Sequence, residues 1–150
     1  MFRYTLVPAS FFTEAEADRI LSEAVQLSEQ DKVTYKELPQ YKAVLVYVDT
    51  DAAAPVIADL LNHAKGIPDH NRILAACGDG CIHIVIVTGE KLLLANSFPA
   101  PDHVTAEYFI FAAMKRFQIN PQVSTIYIKG KAAPEMLDDI VKYCKGVETL

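Results

Sequence analysis

The amino-acid sequence predicts an α/β fold in which a β-meander is followed by an α-β-α segment and preceded by a β-α-β-α segment. Two observations predict it. Residues 72–98 form three apolar stretches separated by turn-forming residues. Elsewhere, apolar residues at helical spacing alternate with short β-branched runs. Such alternation is typical of a sheet with helices on its faces.

The meander is predicted to contain the strands Arg72–Cys77, Cys81–Thr88 and Lys91–Phe98. Gly89-Glu90 suits a type II′ hairpin, because glycine adopts a positive φ without steric cost. The middle strand is apolar on both faces, apart from His83 and the terminal Thr88. We therefore expect this strand at the centre of a sheet, with His83 as a hydrogen-bonded sheet histidine.

The first part of the chain predicts two strands that each precede a helix. Thr13 and Glu16 have capping-box spacing, and a helical apolar pattern follows as far as Val25. The trio Asp49-Thr50-Asp51 is interpreted as the cap of the second helix, not as a cation site. The predicted elements are the strand Tyr4–Val7, the helix ending near Val25, a brief strand Val33–Tyr35, the strand Tyr41–Val48 and the helix Ala52–Ala64.

After the meander, the chain predicts a helix, a strand and a final helix. The first helix runs from Asp102 to about Phe117, and its nearly continuous apolar surface suggests cover on more than one flank. The strand Ser124–Lys129 is expected beside the first meander strand, in parallel. Pro134 opens the last helix, whose buried stripe includes Cys144 and which stops at Gly146.

The predicted boundary between two parts of the chain is residues 66–71, where Gly, Pro, Asp and Asn cluster. The predicted division is a β-α-β-α segment over 1–68 and a second unit over 69–150.

Composition excludes several classes of function. The net charge of -5 and the scattered positions of the 14 basic residues disfavour a nucleic-acid partner. No apolar run is long enough to span a membrane, and the N-terminus lacks the pattern of a signal peptide. Three cysteines fit reduced thiols, so the sequence predicts a cytoplasmic protein.

A meander followed by α-β-α resembles the ribonuclease H-like fold of actin-like ATPases. The Val7-Pro8 strand end, the Leu38-Pro39 segment and the strand 43–48 resemble actin-like pilus-assembly proteins. The stretches 91–98 and 126–130 are similar to a bacterial family of unknown function with that fold. Members of that family are longer, so the resemblance implies that this sequence is a fragment.

The resemblance also implies where ATP and Mg²⁺ would bind. Actin-like ATPases hold phosphate in the turn between the first two meander strands, which here is Gly78-Asp79-Gly80, and Gly130 follows the later strand. The Asp-x-Gly-x-x-Thr arrangement of that turn is missing, and Lys131 follows Gly130 where paired glycines are usual. ATP binding is therefore the alternative hypothesis.

A ribonuclease H-type nuclease would need carboxylates from two strands and two helices converging on two metal ions. Asp79, Glu107 and either Asp138 or Asp139 lie near three of those places, but the fourth offers Lys129, a cation. These acids are interpreted as solvated surface groups.

Other reactive residues have no supporting pattern. Cys77 and Cys81 flank a turn without zinc-site spacing, and both are interpreted as small buried residues at strand ends. A zinc site from His63, His70 and His83 has no ligand spacing behind it. Ser10, Ser97 and Ser124 have neither a nucleophile elbow nor a nearby histidine in the sequence. No metal site is predicted.

The hypothesis that follows is a non-catalytic protein-binding or assembly module without a cofactor. We expect a homodimer through the N-terminal half, because the strand Tyr41–Val48 is apolar on both sides and would be exposed in a fragment.

Overall fold

The computed structural model describes residues 2–150. The chain divides into two compact units, one ending at Ala58 and one beginning at Asp59. This boundary lies within helix α2, which spans Ala53–Ala64. The sequence-based division at residue 68 was placed on turn-forming residues and stays a prediction.

The first unit is built on a three-stranded antiparallel sheet with the order β1-β3-β2. Its strands are β1 (Tyr4–Pro8), β2 (Val33–Leu38) and β3 (Ala43–Val48). β2 extends beyond the brief strand predicted for it and ends at the residue before Pro39, which opens a 3₁₀ turn. β3 begins two residues later than predicted, because Lys42 lies in the left-handed region with φ 52°.

The central strand β3 is buried. Val44, Val46 and Val48 pack in one cluster with α1 (Ala17–Ser22), and β1 and β2 flank the strand on its two edges. The expectation that this strand exposes an apolar surface is therefore wrong. Its two-sided apolar pattern reflects a central position within the unit.

Helix α1 is shorter than predicted and begins without a capping box. The Thr13 side chain makes no capping hydrogen bond to the backbone; its hydroxyl donates to the Glu16 carboxylate over 3.0 Å. Glu16 also pairs with Arg19, so its carboxylate is engaged away from the helix N-terminus. A 3₁₀ turn, Glu14–Glu16, precedes the helix.

The second unit is built on a five-stranded mixed sheet with the order β6-β5-β4-β7-β8. The meander β4-β5-β6 is antiparallel, β7 pairs with β4 in parallel, and β8 pairs with β7 in parallel. The elements are β4 (Asn71–Gly78), β5 (Cys81–Thr88), β6 (Lys91–Pro99), α3 (His103–Arg116), β7 (Thr125–Lys129), α4 (Pro134–Tyr143) and β8 (Gly146–Thr149).

This arrangement confirms the predicted meander and the predicted parallel strand beside it. Every residue of β5 from Ile82 to Val87 is buried, as expected for a strand covered on both faces. Gly89 has a positive φ of 58° at the first turn position, in agreement with the predicted hairpin. Asp102 caps α3 by accepting a hydrogen bond from Thr105 N, and Pro134 opens α4.

Strand β8 was not predicted. Helix α4 ends at Tyr143, three residues before the stop predicted at Gly146, and Gly146 instead begins a short strand beside β7. Its sequence, Gly-Val-Glu-Thr, carries one apolar residue and has no periodicity. The pairing depends on the edge that β7 offers, which no local pattern reveals.

One face of the sheet and helices α3 and α4 enclose the main core of this unit. Ile84 at the centre of β5, Ile110 and Met114 of α3 and Ile140 of α4 are fully buried in a single cluster. Within residues 2–150, no helix combines the length and the apolar character needed to cross a membrane.

Candidate functional site

The hairpin between β4 and β5 turns on Asp79 and Gly80. Both residues lie in the left-handed region, with φ 52° and 74°, as a type I′ turn requires. Gly80 O accepts a hydrogen bond from Ala100 N at the end of β6 (2.8 Å), which fixes the turn to the sheet. Asp79 is exposed. The geometry therefore accounts for the Asp-Gly pair as turn residues.

Gly130 lies at the same end of the sheet as this turn. β4 and β7 are parallel neighbours, with Ala76 beside Lys129, so both strands end at one edge. Gly130 has φ 78°, and a side chain added at Gly78, Gly80 or Gly130 would meet no heavy atom within 4 Å. The structure thus brings the four residues expected for the ATP alternative to one open edge.

The three cysteines are free thiols. Cys77 faces the core, where its Sγ lies 3.8 Å from Met136 Sδ, and Cys144 is buried as predicted. Cys81 is half-buried, and its thiol donates to Gly78 O over 2.9 Å. Burial raises the pKa of all three thiols.

Ser97 has a histidine neighbour that the sequence did not predict. Its Oγ lies 2.7 Å from His83 Nδ1, and the two residues face each other across β5 and β6. On the other side of the ring, His83 Nε2 lies 3.4 Å from Cys81 Sγ. His83 is a buried, hydrogen-bonded sheet histidine, which confirms the prediction for it.

A cysteine, a histidine and a serine in line resemble the parts of a nucleophilic site, but the electrostatics oppose that role. A nucleophilic cysteine needs a lowered pKa, because the thiolate is the reactive form. Burial, and the negative charge of Asp79 next, raise the pKa of Cys81. The contacts among Cys81, His83 and Ser97 are therefore interpreted as polar contacts that join β5 to β6.

Of the acids considered for a nuclease, the structure brings two together. Glu107 of α3 and Asp139 of α4 lie side by side, together with His103, which the sequence did not single out. Burial raises the pKa of Glu107 to about 7, and the neighbouring carboxylate of Asp139 adds to the shift. Asp79 lies in the β4–β5 turn and is not a member of this cluster.

Lys129 takes the place where a nuclease would need a further acid. Its ammonium group forms an ion pair with Asp59 and lies 3.1 Å from His63 Nε2. Both partners lie on α2, so Lys129 joins the end of β7 to that helix. With a cation here, the two-metal nuclease arrangement lacks one of its acids.

Asp51 caps α2, as predicted for the Asp49-Thr50-Asp51 trio. Its Oδ2 accepts a hydrogen bond from Ala54 N over 2.9 Å, and its Oδ1 accepts one from Arg3 N over 3.2 Å. Asp51 is buried, and backbone N–H groups satisfy both of its oxygens.

Helices α3 and α4 carry an exposed aromatic surface. The α3–α4 surface is defined here as Val104, Tyr108, Phe111 and Tyr143. Tyr108 is 67% exposed and Tyr143 is 62% exposed. The Phe111 ring meets the Tyr143 ring edge-on, with their centroids 5.9 Å apart. The flank of α3 that carries Tyr108 is uncovered, whereas the sequence predicts cover on more than one flank of this helix.

The first unit contains an open pocket of about 520 Å³. The only charged groups among its lining residues are Arg3 and Asp31, which form an ion pair of 2.6 Å. Because the pair is already compensated, the pocket offers little net charge to a ligand.

The profile of a family described as "Protein of unknown function (DUF3822)" matches residues 2–66 and 50–147. The chain belongs to this family. A comparison with curated proteins gives no match.

Two solved structures share the fold of this DUF3822 protein. A Bacteroides thetaiotaomicron VPI-5482 protein with an actin-like ATPase fold and unknown function superposes with a TM-score of 0.80 at 18% identity. A protein of a PilM-PilN type IV pilus biogenesis complex superposes with a TM-score of 0.50 at 12% identity. The chain therefore has the predicted actin-like ATPase fold.

Both matches cover all of this chain but only part of the compared protein. The chain corresponds to 65% of the B. thetaiotaomicron protein and to 66% of the matched chain in the pilus complex. It thus spans slightly less than two thirds of the length of each.

Proposed function

We propose that this DUF3822 protein is a protein-binding module without a catalytic site of its own, and that a protein partner binds to the α3–α4 surface. The observation that carries this proposal is the exposure of Tyr108 and Tyr143. Tyrosine anchors are enriched in the centres of protein interfaces, where they bury a large area at a low cost in conformational entropy.

The position of the exposed apolar side chains favours the second unit over the first. Among the described residues, six of the seven exposed large hydrophobic side chains lie in the second unit, and Phe11 is the one in the first. We therefore transfer the expected interface from the N-terminal half to α3 and α4. A homodimer through this surface is one form of the proposal.

The fold adds a second line of support. One protein with this fold occurs in a PilM-PilN type IV pilus biogenesis complex, so the fold is compatible with a role in an assembly. The likeness to the pilus protein does not identify a partner for this chain, which the crosslinking experiment below is designed to do.

Site-specific photo-crosslinking tests the proposal. A photoreactive amino acid is placed at Tyr108 in one variant and at Phe11 in a matched control, because Phe11, in the first unit, is at least as exposed as Tyr108. We expect a discrete adduct from position 108 in the producing cell and none from position 11. An adduct of twice the chain mass identifies a homodimer, and another mass identifies a different protein.

Substitution provides the complementary measurement. Tyr108→Ser and Tyr143→Ser should each weaken the association about tenfold or more, whereas Phe11→Ser should leave it unchanged. Light scattering at micromolar concentration measures self-association. Equal adducts from positions 108 and 11, or tyrosine variants that associate as the wild type does, would contradict the proposal.

The alternative function is ATP binding. The open edge formed by Gly78, Asp79, Gly80 and Gly130 is the observation that favours it, because close approach of phosphate to backbone requires positions free of side chains. Under this alternative, Asp79 would serve the accompanying Mg²⁺.

A further inference from the structure

The seam between α3 and α4 holds three side chains that can each donate one lone pair. His103 begins α3, and Glu107 lies one turn later on the same face. Asp139 reaches them from α4. One ligand atom from each residue lies within 4.8 Å of the other two, and His103 Nε2 is 3.9 Å from Glu107 Oε2.

Glu107 Oε2 is a buried oxygen without a hydrogen-bond partner among residues 2–150. Glu107 is only 9% exposed, so water does not readily replace a missing donor. The distance of 3.9 Å to the imidazole is too long for a hydrogen bond. A buried carboxylate oxygen without a partner is costly, so this oxygen requires either a proton shared with the neighbouring Asp139 carboxylate or a bound cation.

The charges around Glu107 bear on the choice between a proton and a cation. Asp139 adds a second carboxylate, and the ammonium group of Lys142 lies 3.6 Å from Asp139 at a largely exposed position. Two acids therefore face one solvated cation and one histidine. A cation between Glu107 and Asp139 would satisfy the orphaned oxygen and reduce the repulsion together.

We propose that His103, Glu107 and Asp139 bind one divalent transition-metal ion of the zinc class. The imidazole decides the class, because imidazole suits Zn²⁺ and its neighbours, whereas Mg²⁺ prefers oxygen ligands alone. Three protein ligands leave one position of a tetrahedral ion open, and the 33% exposure of His103 provides access to solvent.

The geometry needs only small side-chain movements to close on an ion. Ligands of tetrahedral Zn²⁺ lie about 3.3 Å apart, as follows from metal–ligand distances of about 2.0–2.1 Å. The separation of 3.9 Å between His103 and Glu107 exceeds this by less than an ångström, and no pair of the three ligand atoms, all within 4.8 Å of one another, exceeds it by more than about 1.5 Å. Rotation about side-chain bonds of two helix residues supplies such a movement without displacing the backbone.

The proposed site differs from a two-metal nuclease site. That chemistry needs acids from the strands as well as the helices. Here Asp79 stays in its turn, and Lys129 is paired with Asp59. The proposed centre therefore holds a single ion that joins α3 to α4, and it is independent of the function proposed for the α3–α4 surface.

Calorimetric titration of the full chain with ZnCl₂, after removal of bound metal with EDTA, tests the site. We expect one Zn²⁺ per chain and a higher melting temperature in its presence. His103→Ala, Glu107→Gln and Asp139→Asn should each weaken binding about tenfold or more. Asp138→Asn is the matched control, because Asp138 is an exposed acid on the same helix and outside the cluster.

Glu107→Gln separates the loss of a ligand from the loss of the fold. Glutamine keeps the shape of the side chain and removes a buried charge, so the metal-free variant should unfold at a temperature no lower than the wild type. Loss of Zn²⁺ binding with retained stability supports the site. Unchanged binding in the His103 and Asp139 variants would overturn it.

Cobalt substitution distinguishes this site from adventitious binding to the thiols. Co²⁺ bound to nitrogen and oxygen ligands lacks the intense charge-transfer band of thiolate ligation, so its absence from the spectrum supports the site. A thiolate band, or equal stabilisation by Mg²⁺ and Zn²⁺, would overturn the proposal. Absence of Zn²⁺ binding would also overturn the proposal, and it would indicate that Glu107 and Asp139 share a proton instead of a metal ion.

Discussion

The β4–β5 turn and the α3–α4 seam each contain an acid at a position where a related fold could place metal chemistry, and they treat that acid in opposite ways. In the turn, Asp79 is exposed, and its backbone conformation supplies the first half of a type I′ hairpin. In the seam, Glu107 is enclosed by its own helix and by α4, with one oxygen left without a partner.

The difference shows how far burial outweighs position in deciding what a carboxylate does. Water solvates Asp79, so its charge needs no partner from the protein. Glu107 has lost that solvent, which raises its pKa to about 7 and leaves a free-energy cost that a proton or a cation removes. The turn lies where actin-like ATPases bind phosphate, whereas the seam contains the buried carboxylate that a ligand would stabilise more.

The largest expected effect concerns the charge of Glu107 in the metal-free protein. Between pH 4.5 and about 7, the folded state binds a proton that the unfolded state has released. The free energy of unfolding should therefore fall as pH rises through this range. Above pH 7, Glu107→Gln should be more stable than the wild type by on the order of 1–2 kcal/mol, allowing for partial solvent access.

Asp79→Asn is the matched control for this prediction. It removes the same charge from an exposed turn, so the free energy of unfolding should change by no more than about 0.5 kcal/mol. Chemical denaturation in EDTA at pH 4 and pH 8 measures both variants. If Glu107→Gln gains nothing at pH 8, Glu107 is better solvated than its position indicates, and the contrast between the two regions fails.

A smaller effect is expected from the two glycines of the turn. Gly80→Ala should lower the free energy of unfolding by about 1 kcal/mol, because its φ of 74° disfavours a side chain. Gly78→Ala should be neutral or stabilise by up to about 0.5–1 kcal/mol, because alanine suits the end of β4 better than glycine does.

This pair isolates backbone conformation from packing. At both positions an added side chain would meet no heavy atom within 4 Å, so a steric clash cannot explain a difference. Denaturant midpoints at constant m-value measure the two free energies. Equal losses for both variants would show that the turn does not depend on a left-handed residue at position 80.

The meander, β7 and the helices that follow could be predicted from the sequence because each follows a local pattern. The two-sided apolar run Cys81–Thr88 predicted that β5 is an interior strand, as it is between β4 and β6, and the glycine-led turn after it predicted the hairpin. Periodicity of this kind reports which face of an element is buried. It carries no information about which side chains of separate elements meet.

The polar contacts depended on features that have no local signal. A β-bulge between Ile86 and Val87 shifts the register of β5 and β6 by one residue. An unbroken ladder from Thr88 and Lys91 would have placed Asn96 opposite His83, whereas the bulge places Ser97 there. Similarly, Asp139 meets Glu107 only because α3 packs beside α4. Only the contact between His103 and Glu107 could have been predicted, because residues four apart in a helix lie on the same face.

The smallest expected effect is the response to nucleotide, which tests whether the turn is more than a hairpin. Saturating Mg-ATP should shift the melting temperature by less than about a degree, because a ligand that does not bind the native state cannot stabilise it. The turn holds one exposed acid, and the Asp-x-Gly-x-x-Thr arrangement is missing, since the third residue after Gly80 is the buried His83. Thermal unfolding with and without Mg-ATP measures the shift, and Asp79→Ala is the control for its origin. A clear shift that Asp79→Ala abolishes would make ATP binding at Gly78-Asp79-Gly80 the leading function and would reverse the contrast between turn and seam. A shift that Asp79→Ala leaves intact would place the nucleotide elsewhere on the molecule.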